Sequence, residues 1–233
     1  MTANDEQGDF VFMKSVKKRI LIGTSNPSKL PYLCSWFDGI DIECVSPASV
    51  GLSDFDASEN GRTAEENAIE KARSWYSVAK MPVFALDAGL VFLDFPEDDP
   101  IQPGVHVRRA AGHVMDDREM LEWFIDVAHK NGGCLRAAWQ DSYCIMKDPE
   151  HYCTYTFSHA ELETNAFFLV DRACGTDIPG WPLNSLMVDI NTGKYLLEMT
   201  GEETHENKAA NKAKEENIKK LGAWIAKTAE RML

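Results

Sequence analysis

The sequence predicts an α/β fold built on a mixed sheet, and three features of the pattern carry that reading. Near the start, the apolar run Ile20-Leu21-Ile22 breaks at Gly23, and Leu30, Leu33, Cys34 and Phe37 then recur at helical spacing: strand, tight polar loop, helix. In the middle, strand-like runs over 135–146 and 152–162 flank Lys147-Asp148-Pro149-Glu150 as an antiparallel hairpin. Near the end, 185–190 and 194–199 flank Asn191-Thr192-Gly193 as a last hairpin.

In chain order, the loop after the first strand aims free backbone N–H groups outward at a helix start. Thr24, Ser25 and Asn26 add side-chain donors and Lys29 adds a full charge, which together suit a polyphosphate. Alone, the same residues also make an ordinary capped turn, and no Walker A pattern is present. Residues 40–45 read as a second strand, and 46–61 as a polar loop ending Ser58-Glu59-Asn60-Gly61. Thr63 and Glu66 form a capping box that opens a helix over 63–80. Its small-residue face, Ala64, Ala68, Ala72 and Trp75, is interrupted by Asn67 and Lys71. Residues 83–86 are a buried strand that ends at Asp87-Ala88-Gly89, and 90–93 resumes an apolar run. After a polar loop, Arg108-Arg109 stand together as a phosphate clamp or a solvated pair. Asp116 caps an amphipathic helix over 117–130, which Asn131-Gly132-Gly133 ends. Residues 166–170 form a short strand, 171–184 are irregular, and 204–232 form a helix that turns apolar at Leu221, Trp224 and Ile225.

A chain of 233 residues, 44% apolar, can bury one sizeable core. We expect a flexible tail at 1–16 and a single domain over 17–233. The polar, acidic start lacks the basic-then-apolar pattern of a signal peptide. No apolar run is long enough to span a bilayer. The net charge of −13 argues against a nucleic-acid or membrane-surface partner. A nucleotide remains compatible if lysines gather locally or a divalent cation bridges carboxylate and phosphate. The six cysteines form no C-x-x-C pair and read as intracellular thiols, several of them in the core. The six histidines show no metal-ligand spacing.

Two carboxylates stand out. Asp87 ends a buried strand, the place where open α/β sheets bind ligands, and Glu59 lies in a glycine-bearing loop before a helix. Alone, Asp87 reads first as a turn former and Glu59 as a solvated surface charge. Their setting is more specific. Segments 24–29, 59–73 (with Glu66-Asn67-Ala68-Ile69-Glu70-Lys71-Ala72), 85–90 (with Asp87-Ala88-Gly89-Leu90) and 103–112 follow in an order that resembles the inosine triphosphate pyrophosphatase family. The resemblance is good over 19–112 and traceable to the end.

It implies an elongated, twisted mixed sheet flanked by helices, in two lobes with a central cleft. It implies Mg²⁺-dependent hydrolysis of a non-canonical purine triphosphate, such as (d)ITP or XTP, to the monophosphate and pyrophosphate. Thr24, Ser25, Asn26, Lys29 and Lys71 would hold the triphosphate, and Lys208 would be a further pocket lysine. Glu59 and Asp87 would hold Mg²⁺, with Asp87, Lys29 and Glu59 as the catalytic set. Arg109 would shape the base or phosphate pocket, Trp181 would clamp the base, and Asn184 stands at the base-reading position. The resemblance also implies a homodimer, with an interface between 95 and 130, in the cytoplasm.

Three departures bear on function. Leu86 replaces the first of two family acids, Asn184 replaces a base-reading Asp, and Lys212-Ala213-Lys214 replaces an S-H-R segment. The last two point to altered base choice. Leu86 and the missing His-Arg pair motivate the alternative of a catalytically weakened nucleotide sensor or regulatory subunit with a protein partner.

Overall fold

Ile20, Leu21 and Ile22 are fully buried in β1 (Lys18–Ile22) of the computed structural model, which describes residues 17–200 and 208–233. The tail expected at 1–16 lies outside the described residues. A 3₁₀ turn, Pro27–Lys29, leads into the short helix α1 (Leu30–Ser35), and β2 (Ile42–Val45) returns parallel to β1. Helix α2 (Ala64–Ala79) then crosses to β3 (Val83–Phe92), which is parallel to β1 through Leu21–Val83 and Ile22–Phe84. Helix α3 (Asp117–Lys130) precedes β4 (Cys134–Asp148), which runs antiparallel to β3 from Val83–Met146 to Phe92–Ala137. Next come β5 (His151–Thr156), α4 (His159–Thr164), β6 (Phe167–Val170), β7 (Met187–Val188) and α5 (Lys208–Met232).

The sheet order is β2-β1-β3-β4-β6-β7. The far edge of β4 is shared: β6 pairs with its first residues and β5 with its last. The sheet therefore forks into two lobes joined by the β3–β4 ladder, the mixed α/β architecture expected. No helix among the described residues is long and apolar enough to cross a membrane.

Strand alternation assigns the faces. Val83 and Ala85 of β3, with Cys144 and Met146 of β4, pack against Ala68, Ala72 and Trp75 of α2. The other face presents Phe84, Leu86, Tyr143 and Ile145 to Leu33 of α1 and to Leu221, Ile225 and Ala229 of α5. Beyond the fork, Leu90, Phe92 and Ala137 pack with Phe124 and Ala128 of α3 and with Leu183 and Leu186. All six cysteines are free thiols, and only Cys144 is buried.

Four expectations need correction. Strand β3 does not end at Asp87; it continues to Phe92, because β4 carries the ladder onward after β1 has stopped. The strand expected over 152–162 stops at Thr156, because Ser158 and Glu161 form a capping box that starts α4. The last hairpin shrinks to a 3₁₀ turn, Pro182–Leu186, the two-residue β7 and a single Val188–Tyr195 bridge. Asp189 Oδ1 instead caps a tight turn by accepting from the Asn191 and Thr192 amides. At the start of α2 the capping box is offset: Thr63 accepts from the Glu66 amide, but the Glu66 carboxylate accepts from Arg62. The first four residues of the helix expected over 204–232 lie outside the described residues.

Candidate active site

Helix α2 places Asn67 and Lys71 one turn apart on the face that covers β3. Both are buried, so each needs a polar partner. Lys71 Nζ lies 2.7 Å from Glu59 Oε1 and 3.0 Å from Asp87 Oδ1, and donates to the Leu86 carbonyl at 3.0 Å. Asn67 Nδ2 donates to Asp87 Oδ2 at 3.1 Å, while its Oδ1 accepts from the Gly61 amide at 2.7 Å. A Cβ on Gly61 would stand 2.7 Å from Glu66 Cβ, so only glycine lets this loop fold down on α2 and bring Glu59 in. Arg109 fastens the same loop by donating to the Glu59 carbonyl at 3.0 Å. Burial pulls the Lys71 pKa down, but Asp87 and Glu59 outweigh it and hold the ammonium above its ordinary range.

Opposite stands Lys29, presented by the 3₁₀ turn, with Nζ 5.5 Å from the centre of the Trp181 ring. Burial and the nearby Lys71 charge lower its pKa against the pull of Asp87, Asp141 and Glu59. A lysine that is desolvated and crowded by another cation favours an anionic ligand. The Trp181 loop is tied down by Asp117, whose carboxylate accepts from the Gly180 amide at 2.7 Å and from Arg108 at 2.8 Å.

The cleft between these walls has a volume of about 690 Å³. Lys29, Glu59 and Lys71 line its ionic end; Leu86, Ala88, Asp141 and Trp139 form the floor; Trp181, Leu183 and Asn184 form the roof. Val107, Met120 and Ile178 make the far end apolar. The lining, charged around Lys29, Glu59 and Lys71 and largely apolar and aromatic elsewhere, suits a ligand with an anionic tail and a flat head.

Of the residues singled out from the sequence, Lys29, Glu59, Lys71, Trp181 and Asn184 line the cleft, and Asp87 lies directly behind Lys71. Thr24, Ser25 and Asn26 are outside the lining. Thr24 Oγ1 accepts from the Asn26 amide and Asn26 Oδ1 from the Ser28 amide, so these side chains build the turn that presents Lys29. Arg109 is exposed and serves the Glu59 loop; its neighbour Arg108 lines the cleft. The side chain of Lys208 lies outside the described residues. Lys214 approaches Asp189 at 3.6 Å. Asp141 belongs to no motif, and its signal in the sequence is a carboxylate midway along a largely apolar strand.

Two carboxylates converging on one ammonium form a hard-oxygen donor set. It fits Mg²⁺, which takes one or two protein carboxylates and completes its shell with phosphate oxygens and water. Among the described residues no three His, Cys, Asp or Glu side chains gather as a closed cage.

A family model described as the Ham1 family matches residues 20–160. A dITP/XTP pyrophosphatase of Thermoanaerobacter sp. (strain X514) is 30% identical over 216 residues, spanning 91% of this chain and 98% of that protein. A dITP/XTP pyrophosphatase of Legionella pneumophila (strain Paris) is 35% identical over 105 residues, 45% of this chain and 50% of its own length. Among solved structures, a HAM1 protein from Coxiella burnetii superposes with a TM-score of 0.63 at 19% identity, covering 90% of this chain and 99% of that one. The Staphylococcus aureus Ham1 protein gives 0.62 at 20% identity, covering 89% and 98%. At these identities the structural likeness speaks to the fold.

Proposed function

The chain belongs to the Ham1 family, and from that membership and its cleft we propose that it hydrolyses a nucleoside triphosphate to the monophosphate and pyrophosphate. The observation that carries this reading is the meeting of Glu59, Lys71 and Asp87, with Lys29 nearby, in a cleft whose remaining lining includes Trp139 and Trp181. Lys29 and Lys71 neutralise the phosphates, while Trp181 and Trp139 offer flat apolar surface to the base. Glu59 and Asp87 would hold Mg²⁺, Asp87 by giving up its Lys71 contact, and the ion would screen phosphate charge and acidify bound water. The substrate class is a non-canonical purine triphosphate such as (d)ITP or XTP, supported by the names of the relatives. Asn184 at the roof supports a base choice differing from theirs, because an amide both donates and accepts where a carboxylate only accepts. The same reading takes a homodimer as the assembly and the cytoplasm as the compartment. Exposed Val114 and Trp123, inside the 95–130 stretch, are apolar surface that a second copy would cover.

The test is pyrophosphate release from a panel of purine and pyrimidine (deoxy)nucleoside triphosphates with Mg²⁺. Turnover that falls about a hundredfold or more in Asp87→Asn and Glu59→Gln supports the enzyme. Nucleotide binding without turnover would instead favour a sensor, the reading suggested by apolar Leu86 on the cleft floor.

A further inference from the structure

Asp141 is a carboxylate on the floor of a cleft that we read as seating a polyphosphate, where an unpaired anion should be unwelcome. No lysine, arginine or histidine among the described residues lies within ion-pair distance of it. Its Oδ2 accepts one neutral hydrogen bond, from the Tyr143 hydroxyl at 3.2 Å, which in turn meets the Tyr32 hydroxyl at 2.9 Å. Its Oδ1 accepts no hydrogen bond among the described residues. Asp87 is differently placed. Its two oxygens are already committed to Lys71 and Asn67 on the α2 side of the sheet. Register sets the contrast: Asp141 pairs with Ala88, so it shares the cleft-facing side with Ala88, Leu86 and Tyr143, and Asp87 points the other way.

Position along the ladder matters too. Lys71 marks the ionic end at Leu86–Asp87, Trp139 pairs with Leu90, and Asp141 stands between them. In-line displacement places the attacking oxygen opposite the leaving group. If Lys29 and Lys71 grip the departing pyrophosphate, the attack side of the α-phosphorus faces Asp141.

We propose that Asp141 is the general base of this site, taking a proton from the attacking water; the proposal rests on the pyrophosphatase reading above. The water oxygen bonds to the α-phosphorus. The bond from that phosphorus to the bridging oxygen breaks, and its electron pair leaves with pyrophosphate. The water proton passes to Asp141 Oδ1. The charged and titratable groups around Asp141 are Lys29 from the 3₁₀ turn, Tyr32 from α1, Tyr143 on its own strand and Asp87 from β3. Burial raises its pKa to about 6 against the Tyr143 hydrogen bond and the Lys29 charge, so the base form prevails at neutral pH.

The test is the pH profile of ITP hydrolysis with Mg²⁺ for the wild type, Asp141→Asn, Asp141→Ala and Tyr143→Phe. The wild type should lose kcat/KM as pH falls through about 6. Asp141→Asn should lower kcat about a hundredfold with KM nearly unchanged and abolish that limb. Added formate should partly restore Asp141→Ala. Tyr143→Phe, which removes the hydrogen bond favouring the charged form, should move the limb to higher pH; it serves as the readout should the Asp141 variants misfold. Calorimetric Mn²⁺ affinity should be the same in the wild type and Asp141→Asn. A limb that survives in Asp141→Asn, unchanged kcat, or weakened Mn²⁺ binding would overturn the assignment while leaving the hydrolase intact. A wild type that turns over no nucleotide overturns both.

Discussion

Replacing Lys71 with Met removes the one cation between two acids and keeps most of the side-chain volume. The two sides of the triad differ in weight. The Glu59 side chain is 40% exposed, so its pairing is screened by solvent and contributes little. Lys71 and Asp87 are 10% and 9% exposed, so the substitution strands a buried carboxylate. Breaking a buried pair in this way costs about 3–5 kcal/mol. Asn67 still donates to Asp87, which argues for the lower end, about 3 kcal/mol. With a urea dependence of about 2 kcal/mol per molar, the unfolding midpoint should fall by about 1.5 M. The assay is urea unfolding at pH 7 for the wild type, Lys71→Met and Lys71→Met with Asp87→Asn. The second change makes the stranded group neutral and should recover most of the loss. A single variant within about 1 kcal/mol of wild type would refute the reasoning, as would a double variant no more stable than the single.

Two further predictions follow from the fixings of each lobe. Glu161 is 5% exposed, and although burial works to raise its pKa, hydrogen bonds from Lys220, Ser158 and Tyr155 bring it down to about 2. Since the folded value lies below the unfolded one, its stabilisation is present above the ordinary glutamate range and fades as pH falls toward 2. Glu161→Gln should therefore cost about 2 kcal/mol at pH 7 and almost nothing at pH 2, read by calorimetry; an equal loss at both would contradict the linkage. Asp117→Ala releases both the Gly180 amide and Arg108, loosening the roof over Lys29. Nucleotide KM should rise about fivefold with kcat nearly unchanged, and a fall in kcat alone would place Asp117 in the chemistry rather than the binding.

Helices α2 and α3 were legible because their start signals are local. Thr63 and Asp116 cap them through their own neighbours, and Asn131 with two glycines stops α3. Strand β3 was cut short because Asp87 and Gly89 break its apolar run, and the cause of its continuation, the β4 ladder, is remote in sequence. The 157–162 stretch shows the converse, since Ser158 and Glu161 carried a readable cap that the apolar pattern outweighed. Glu59 and Asp87 stand out locally, but their joining with Lys71 comes through resemblance, because no spacing rule joins a loop, a helix and a strand. Asp141 has no such motif, and its meaning depends on facing Ala88 rather than Asp87, a matter of register. Between Arg108 and Arg109, the choice falls to a single 3₁₀ turn, Val107–Arg109, whose orientation adjacent letters do not reveal.

The β3–β4 ladder contributes residues to all three apolar clusters, so the platform beneath the substrate is also the place where both lobes are nailed together. A change of reactive group there must be negotiated with the folding of the whole molecule. The canopy is less constrained: Trp181 and Asn184 are half-buried on a short 3₁₀ stretch and its lead-in, anchored beneath by Leu183 and Leu186 and tied through the Asp117 carboxylate. Descent with modification should therefore leave the bond that is cut unaltered while the nucleobase being recognised drifts.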